Sequence, residues 1–396
     1  MKVTTLTFFS NYFNHHQKAL CDEWYKLLGD NFTFVETMPM EEFRKGMGWG
    51  ENTPSYVLRS YESDENEKKA AELANSSDLV VMGTAPEYFI KERLKQGKIV
   101  FRYSERPLKE GFIKFFIPRL TKKYIDMHLS NRKNNIHIIG ASAFTSLDYH
   151  KMFKSYENRC YKFGYFPKHI EYDEDELMKR KDACNEKSGA VNILWEGRML
   201  KLKRPDLLLD ACHLLKQKGF DFRLTFVGEG EMRPLLEKNV KAYGMEEIVK
   251  FIDFLTPDDA REKMADADIY VMTSNFWEGW GSVIYEALNA GCAVVASHAC
   301  GATPWLVKDD STGFVFRSGS YQSLAGKLEE LLKSHNLRRA LGRSAYNQMH
   351  NEWNPYVAAT RVIGLCEAIS NEEECPYASG PLSKAEYVRN DWYKGN

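Results

Sequence analysis

From about residue 190 onward the chain alternates short apolar runs with amphipathic stretches of ten or more residues, and this alternation narrows the fold more than any other feature. Apolar runs at 191–195, 222–227, 249–251, 269–272, 293–297 and 312–316 predict strands. Between them, 205–218, 231–243, 257–265 and 281–290 predict helices. In the first of these, apolar residues at 207, 208, 209, 211, 214 and 215 trace one helical face. Helices follow from about 320 to 370. Strands joined by connections that long form βαβ units, hence a parallel sheet covered on both faces.

The first half repeats the pattern more loosely, with strands expected at 2–9, 32–37, 79–82, 99–102 and 136–140. Residues 164–189 are rich in charge and in Gly, Pro and Tyr, and are read as a connector. The expected fold is α/β, with two doubly wound, Rossmann-like parallel-sheet domains facing each other across an interdomain cleft. Their bounds are 1–170 and 185–370, with a tail at about 371–396 packing back on the first. Ligands of such sheets bind outside the carboxyl ends of the strands, so the loops after strands are where chemistry is expected.

Composition removes several classes. A chain of 396 residues with 43% hydrophobic and 28% charged residues buries real cores and is not disordered. Lys+Arg 54 against Asp+Glu 55 argues for no nucleic-acid partner. No apolar run approaches the roughly eighteen residues of a spanning helix. The N-terminal stretch lacks a small-residue cleavage site and reads as a strand rather than a signal peptide. Eight cysteines show neither CxxC nor zinc spacing, which fits reduced thiols and a cytoplasmic location.

The most informative stretch is 274–291, SNFWEGWGSVIYEALNAG. It follows the 269–272 strand, so it lies at a carboxyl end. Gly279 and Gly281 allow close backbone approach, and the helix beginning there offers free N–H groups to a phosphate, with the Ser282 hydroxyl nearby. Glu278 and Glu286 frame the turn. Eight residues of helix rise about 12 Å, whereas paired glycosidase carboxyls stand about 5 to 9.5 Å apart. The two glutamates therefore suit different parts of one ligand better than a hydrolytic dyad. A second stretch, Gly197-Arg198 through Lys203, follows the 191–195 strand where dinucleotide-binding folds place phosphates. Here cations stand in place of a glycine-rich fingerprint: Arg198 offers a planar fork, Lys203 a point charge. A third loop, Gly228-Glu229-Gly230, is common in α/β folds.

Taken together, these loops resemble the retaining nucleotide-sugar glycosyltransferases of family 4, with the GT-B fold, through most of residues 190–335. Glu278 and Glu286 match the E-x7-E pattern, and Gly197, Arg198 and Lys203 the Gly-Arg-x4-Lys pattern. EALNAGCAVVAS, FVGEG and Thr312-Gly313 also fit. The resemblance implies that Arg198 and Lys203 bind a donor diphosphate, that Glu286 holds ribose hydroxyls, and that Glu278 lies by the transferred sugar. Gly197, Gly279, Trp280, Gly281 and Ser282 complete the donor set, and Glu278, Arg198 and Lys203 are the catalytic candidates. It implies a hexose-type sugar moved from a UDP- or GDP-sugar co-substrate to a glycan or lipid-linked saccharide, as in bacterial capsule or O-antigen synthesis. The first domain would bind the acceptor. Rival readings are a GT-B sugar-nucleotide epimerase and a non-catalytic nucleotide-sugar-binding protein.

The chain departs from the family at several points. The loop after the first strand is Ser10–Gln17 rather than glycine-rich, a usual histidine is missing from 102–106, and Trp305 stands where Glu is usual. His15, His16 and Glu105 are acceptor-side candidates. Asp266-Ala267-Asp268 resembles a metal-binding D-x-D but precedes a strand at its amino end, so no bound metal and no cofactor are expected. Residues 102–133 hold nine Lys/Arg against three Asp/Glu, interleaved with Phe112, Ile113, Phe115, Phe116, Ile117 and Leu120. That segment suits an anionic membrane or a lipid-diphosphate acceptor, making the protein peripheral at the inner membrane face; alternatively it packs on the sheet with a solvated basic face.

Overall fold

The structure, a computed structural model, describes residues 1–41 and 53–395. Contacts divide the chain into two units, Met1–Lys168 with Trp353–Val388, and His169–Glu352 with Arg389–Asn396. The first holds β1 (Leu6–Ser10), β2 (Phe32–Glu36), β3 (Val57–Arg59), β4 (Leu79–Met82), β5 (Val100–Ser104), β6 (Ile136–Gly140) and β7 (Cys160–Lys162). They form one sheet in the order β3-β2-β1-β4-β5-β6-β7. The second holds β8 (Val191–Glu196), β9 (Phe222–Val227), β10 (Val249–Ile252), β11 (Ile269–Met272), β12 (Ala293–Ser297) and β13 (Gly313–Phe316), ordered β10-β9-β8-β11-β12-β13. Every neighbouring pair of strands is parallel.

Both sheets are doubly wound, as the alternation predicts, and each reverses its order once. The reversal falls between β1 and β4 in the first unit and between β8 and β11 in the second. At such a point the flanking loops diverge to opposite faces and leave a crevice beyond the strand ends. The central strands are buried on both faces, as covered parallel strands must be: β1, β4, β11 and β12 have no exposed position.

Four elements differ from the sequence expectation. The edge strands β3 and β7 are three residues each, too short to show a period. Residues expected as connector form the helix Glu174–Ser188, capped by Asp173. Its apolar contribution is small, so no hydrophobic face announces it; Leu177, Met178 and Lys181 are buried instead. Lys181 donates to the carbonyls of Met264 (3.1 Å), Ala265 (3.2 Å) and Ala267 (2.6 Å) at the end of helix Pro257–Asp266. A cation there satisfies carbonyls that a helix C-terminus leaves open. Last, helix Pro355–Ser370, counted by sequence with the second domain, belongs to the first unit. It packs on helix His15–Leu28, where the buried Trp24 Nε1 donates to Ala359 O at 3.1 Å. The tail continues along β7 through Leu382 N to Lys162 O (2.7 Å) and Ala385 N to Cys160 O (2.9 Å).

Candidate functional site

In the second unit the loops after β8 and β11 meet at the switch point and are stitched together. Asn275 N donates to Leu202 O at 2.9 Å, and Thr273 Oγ1 to Lys203 O at 2.6 Å. Trp195 Nε1, from β8, reaches Thr273 Oγ1 at 2.9 Å. Across this seam the Lys203 ammonium is paired with the Glu278 carboxylate, which also accepts from Ser274 Oγ at 3.0 Å. Both partners are mostly buried, so the pair is held in place rather than fluctuating on the surface. Arg198 lies in the same loop, exposed and with no partner for its guanidinium among the described residues. A fixed cation paired with a carboxylate, and a free planar cation in the same loop, suit an anionic ligand with several oxygens.

Glycines make this packing possible. At Gly228, in the loop after β9, a Cβ would stand 2.3 Å from the Gly197 carbonyl oxygen. Gly281 adopts φ +90, where a side chain would fall 2.6 Å from Cys300 Sγ and 2.9 Å from Met272 Cε. Helix Ser282–Asn289 therefore starts from a left-handed glycine with no side-chain cap. The turn before it is anchored through Trp280 O, which accepts from Ala302 N (3.0 Å) and Cys300 Sγ (2.9 Å). The Trp280 ring itself is buried beside Trp305, with ring centroids 5.9 Å apart. Trp280 thus packs the loop from beneath instead of presenting its ring to a ligand. Trp305, the family departure, is its packing partner.

Glu286 lies in a different neighbourhood from Glu278. Its Oε1 accepts from Arg261 Nε at 3.1 Å, while Arg261 also reaches Asp258 at 2.8 Å. Burial raises the Glu286 carboxyl above the ordinary range, with Arg261 opposing. Sequence reasoning missed Glu196, the last residue of β8. Its Oε2 is buried with no hydrogen-bond partner among the described residues, and burial, reinforced by the Glu286 charge, pushes its carboxyl up to about 8. A buried carboxyl beside another carboxylate holds its proton at neutral pH. Only its place at a strand's carboxyl end could have pointed to it.

In the first unit, the carboxyl ends of β4 and β5 open into a cavity of about 920 Å3. Glu105 lines it and accepts from Tyr165 OH at 2.9 Å; the His16 ring lies 6.2 Å from Tyr165. His15 and His16 open the helix after β1, with Asn14 as its cap, and neither lines the cavity. Three further lining residues were not singled out by sequence. Arg102 forks onto Glu87 at 2.6 and 2.9 Å. His128 is buried and held neutral, its pKa lowered to about 3 by burial and then by Arg102 and Lys123. Tyr149 OH bonds Ser104 Oγ at 2.9 Å. Sequence alone placed no histidine in this wall because His128 sits outside the 102–106 loop, within the basic segment. On the rim, helix Pro118–Tyr124 carries Arg119, Lys122 and Lys123, and Phe112, Ile113, Phe116 and Ile117 just before it are exposed.

The D-x-D carboxylates are engaged elsewhere. Asp266 pairs with Arg180, and Asp268 with Arg339 at 2.7 Å, Asn185 Nδ2 at 2.9 Å and Asn192 N at 3.0 Å. They brace the amino end of β11.

Two Rossmann-like parallel-sheet domains in one chain constitute the GT-B architecture. Residues 177–348, within the second unit, match the family model described as Glycosyl transferases group 1. The chain is 25% identical over 198 residues to the amylovoran biosynthesis glycosyltransferase AmsK of Erwinia amylovora, covering 49% of this chain and 48% of that protein. It is 31% identical over 187 residues to the D-inositol 3-phosphate glycosyltransferase of Corynebacterium aurimucosum, covering 46% and 44%. The chain thus spans about half the length of the curated relatives it matches. Among solved structures it is similar to Anabaena HepE in complex with UDP, with a TM-score of 0.67 and 17% identity over 93% of this chain and all of that one. HepE in complex with UDP-glucose gives 0.63. These likenesses show the fold.

Proposed function

We propose that the chain is a retaining glycosyltransferase of family 4 that moves a hexose-type sugar from a UDP- or GDP-sugar to a glycan or lipid-linked saccharide in surface polysaccharide synthesis. The observation that carries this reading is the stitched seam between the loops after β8 and β11, where Lys203 meets Glu278 beside the free Arg198. The match of residues 177–348 to a glycosyl transferase family supports it, as do the UDP and UDP-glucose held by HepE.

In this reading Arg198, Lys203 and the N–H groups opening helix Ser282–Asn289 receive the donor diphosphate. Glu286 accepts from ribose hydroxyls, and Glu278 positions Lys203 and borders the sugar. As the sugar C1–O bond breaks, its electron pair goes to the diphosphate oxygen. The cations stabilise that growing charge more than they stabilise the intact donor, so they speed the step. The acceptor hydroxyl oxygen bonds C1 on the face just vacated, and its proton passes to the departing phosphate oxygen. No metal or cofactor enters these steps.

The 920 Å3 cavity of the first unit is proposed to take the acceptor. Neutral His128, Tyr149 and Glu105 supply polar contacts suited to a saccharide. The basic and apolar rim suits a peripheral position on an anionic membrane at its cytoplasmic face. Incubation with nucleotide sugars and a saccharide acceptor, followed by NMR of the product, tests the reading. Acceptor-dependent release of nucleoside diphosphate with the donor's anomeric configuration retained is expected. A free epimer without acceptor would make the chain an epimerase, and binding without turnover a sensor; either overturns the proposal.

A further inference from the structure

The second unit gathers His169, Glu171 and His350 into one cluster, four residues beyond Tyr165 and beside Tyr285. One ligand atom from each lies within 4.8 Å of the others. The Glu171 carboxylate spans the two rings, with Oε1 3.3 Å from His169 Nε2 and Oε2 2.8 Å from His350 Nδ1. The geometry points to a site for a zinc ion at this His-Glu-His cluster, distinct from the proposed transfer chemistry.

The cluster is held in place by its own protein scaffold. Ile170 N donates to Asn289 Oδ1 (2.9 Å), and Asn289 Nδ2 to Ile170 O (3.0 Å). Tyr172 N donates to Tyr346 OH (2.9 Å), which donates back to Tyr172 O (2.7 Å). These bonds fix the backbone on either side of Glu171, whose carboxylate meets the His169 ring. His350 is one helical turn beyond Tyr346, on the same helix face. The backbone bonds of Ile170 and Tyr172 and the helix carrying Tyr346 thus help position the three ligands.

One atom in particular asks for a cation. His169 Nδ1 bonds Tyr285 OH at 3.0 Å, while its Nε2 is buried without a hydrogen-bond partner. In the tautomer protonated at Nδ1, Nε2 presents a lone pair to a carboxylate oxygen, an arrangement that a positive ion between them makes favourable. Metal-ligating histidines commonly fix their second nitrogen in this way. Zinc bonds of about 2.0–2.2 Å to nitrogen and oxygen place tetrahedral ligand atoms roughly 3.3 Å apart. The 3.3 Å separation of Glu171 Oε1 from His169 Nε2 already matches that edge, while the 2.8 Å pair of Glu171 Oε2 and His350 Nδ1 would open by about 0.5 Å to admit the ion. Two imidazoles and a carboxylate favour zinc over magnesium or calcium, and water would supply a fourth ligand.

The site has a structural consequence. His169 begins the second unit, and His350 lies just before the chain returns to the first unit at Trp353. An ion here would cross-link the two segments by which the chain enters and leaves its central fold, stabilising them by mass action.

Calorimetric titration of the full chain with zinc chloride, with cobalt(II) absorption as a spectroscopic check on geometry, tests the site. One zinc per chain and a zinc-dependent rise in unfolding midpoint are expected. His350→Ala and Glu171→Gln, both at exposed positions, should weaken binding by about a hundredfold or more, since each bond is lost outright. Tyr285→Phe, which removes only the supporting hydroxyl, should cost about tenfold. His213→Ala, on another helix of the same unit, should bind as wild type. Absence of zinc binding by the wild type, or undiminished affinity in both His350→Ala and Glu171→Gln, would overturn the site.

Discussion

Glu196 shows how one side chain can tie the stability of the second unit to pH. Its carboxyl sits at the end of β8, buried, with an unpartnered oxygen and the Glu286 charge nearby, and titrates at about 8 instead of near 4.5. A raised folded-state value means that the native state binds the proton more tightly than the unfolded chain does. The stabilisation is complete below about pH 4.5 and is lost as pH rises through about 8. Glu196→Gln keeps the shape of the neutral acid and cannot ionise. Relative to this variant, the wild type should lose thermal stability progressively from about pH 4.5 to 8 and then run parallel to it. A constant difference in unfolding midpoint across that range would show that Glu196 ionises normally in the fold.

Among elements, those with the strongest periods were legible. β11 and β12 lie where the apolar runs predict, because strands covered on both faces are continuous apolar runs, and β9 lies where its alternating FRLTFV predicts, with Arg223 exposed. β3 and β7 were illegible at three residues each, and helix Glu174–Ser188 was hidden because a buried lysine does work that apolar residues do elsewhere. The pattern of helix Pro355–Ser370 was visible but not its partner, since an amphipathic face does not say which sheet it covers. Arg198, Lys203, Glu278 and Glu286 were singled out from the sequence, and the structure pairs Lys203 with Glu278 and Glu286 with Arg261. Glu196 and His128 depend on long-range packing and were not. The basic segment, left open by sequence, gains a defined shape: Phe116 is 83% exposed and Ile113 65%, directly before a helix whose Arg119, Lys122 and Lys123 have no ion-pair partner among the described residues. Each such cation near an anionic surface contributes about 1 kcal/mol, weakened by salt. Vesicle sedimentation should show binding to anionic but not neutral liposomes, abolished at high salt and reduced in Lys122→Glu/Lys123→Glu. Equal binding to neutral vesicles would leave the patch without an electrostatic role.

Across the whole molecule, the same winding is used twice, and each copy exposes a different chemistry at its carboxyl ends. In the first unit a cavity carries a neutral histidine, tyrosines and a basic rim. In the second, a cationic seam is braced by a carboxylate. The seam is the centre of the functional account, because a diphosphate is the one part of a nucleotide sugar that every such donor shares. Titration calorimetry of UDP and of GDP into the full chain and its variants measures it directly. One of the two nucleotides should bind at a single site. Arg198→Ala/Lys203→Ala should weaken that binding about a hundredfold, the loss of two charge-assisted contacts at roughly 1.5 kcal/mol each. Glu286→Ala should also weaken it, whereas Glu278→Ala, which frees Lys203, should leave it nearly unchanged. Wild-type affinity in the Arg198→Ala/Lys203→Ala protein would contradict the placement of the diphosphate at the β8–β11 switch point.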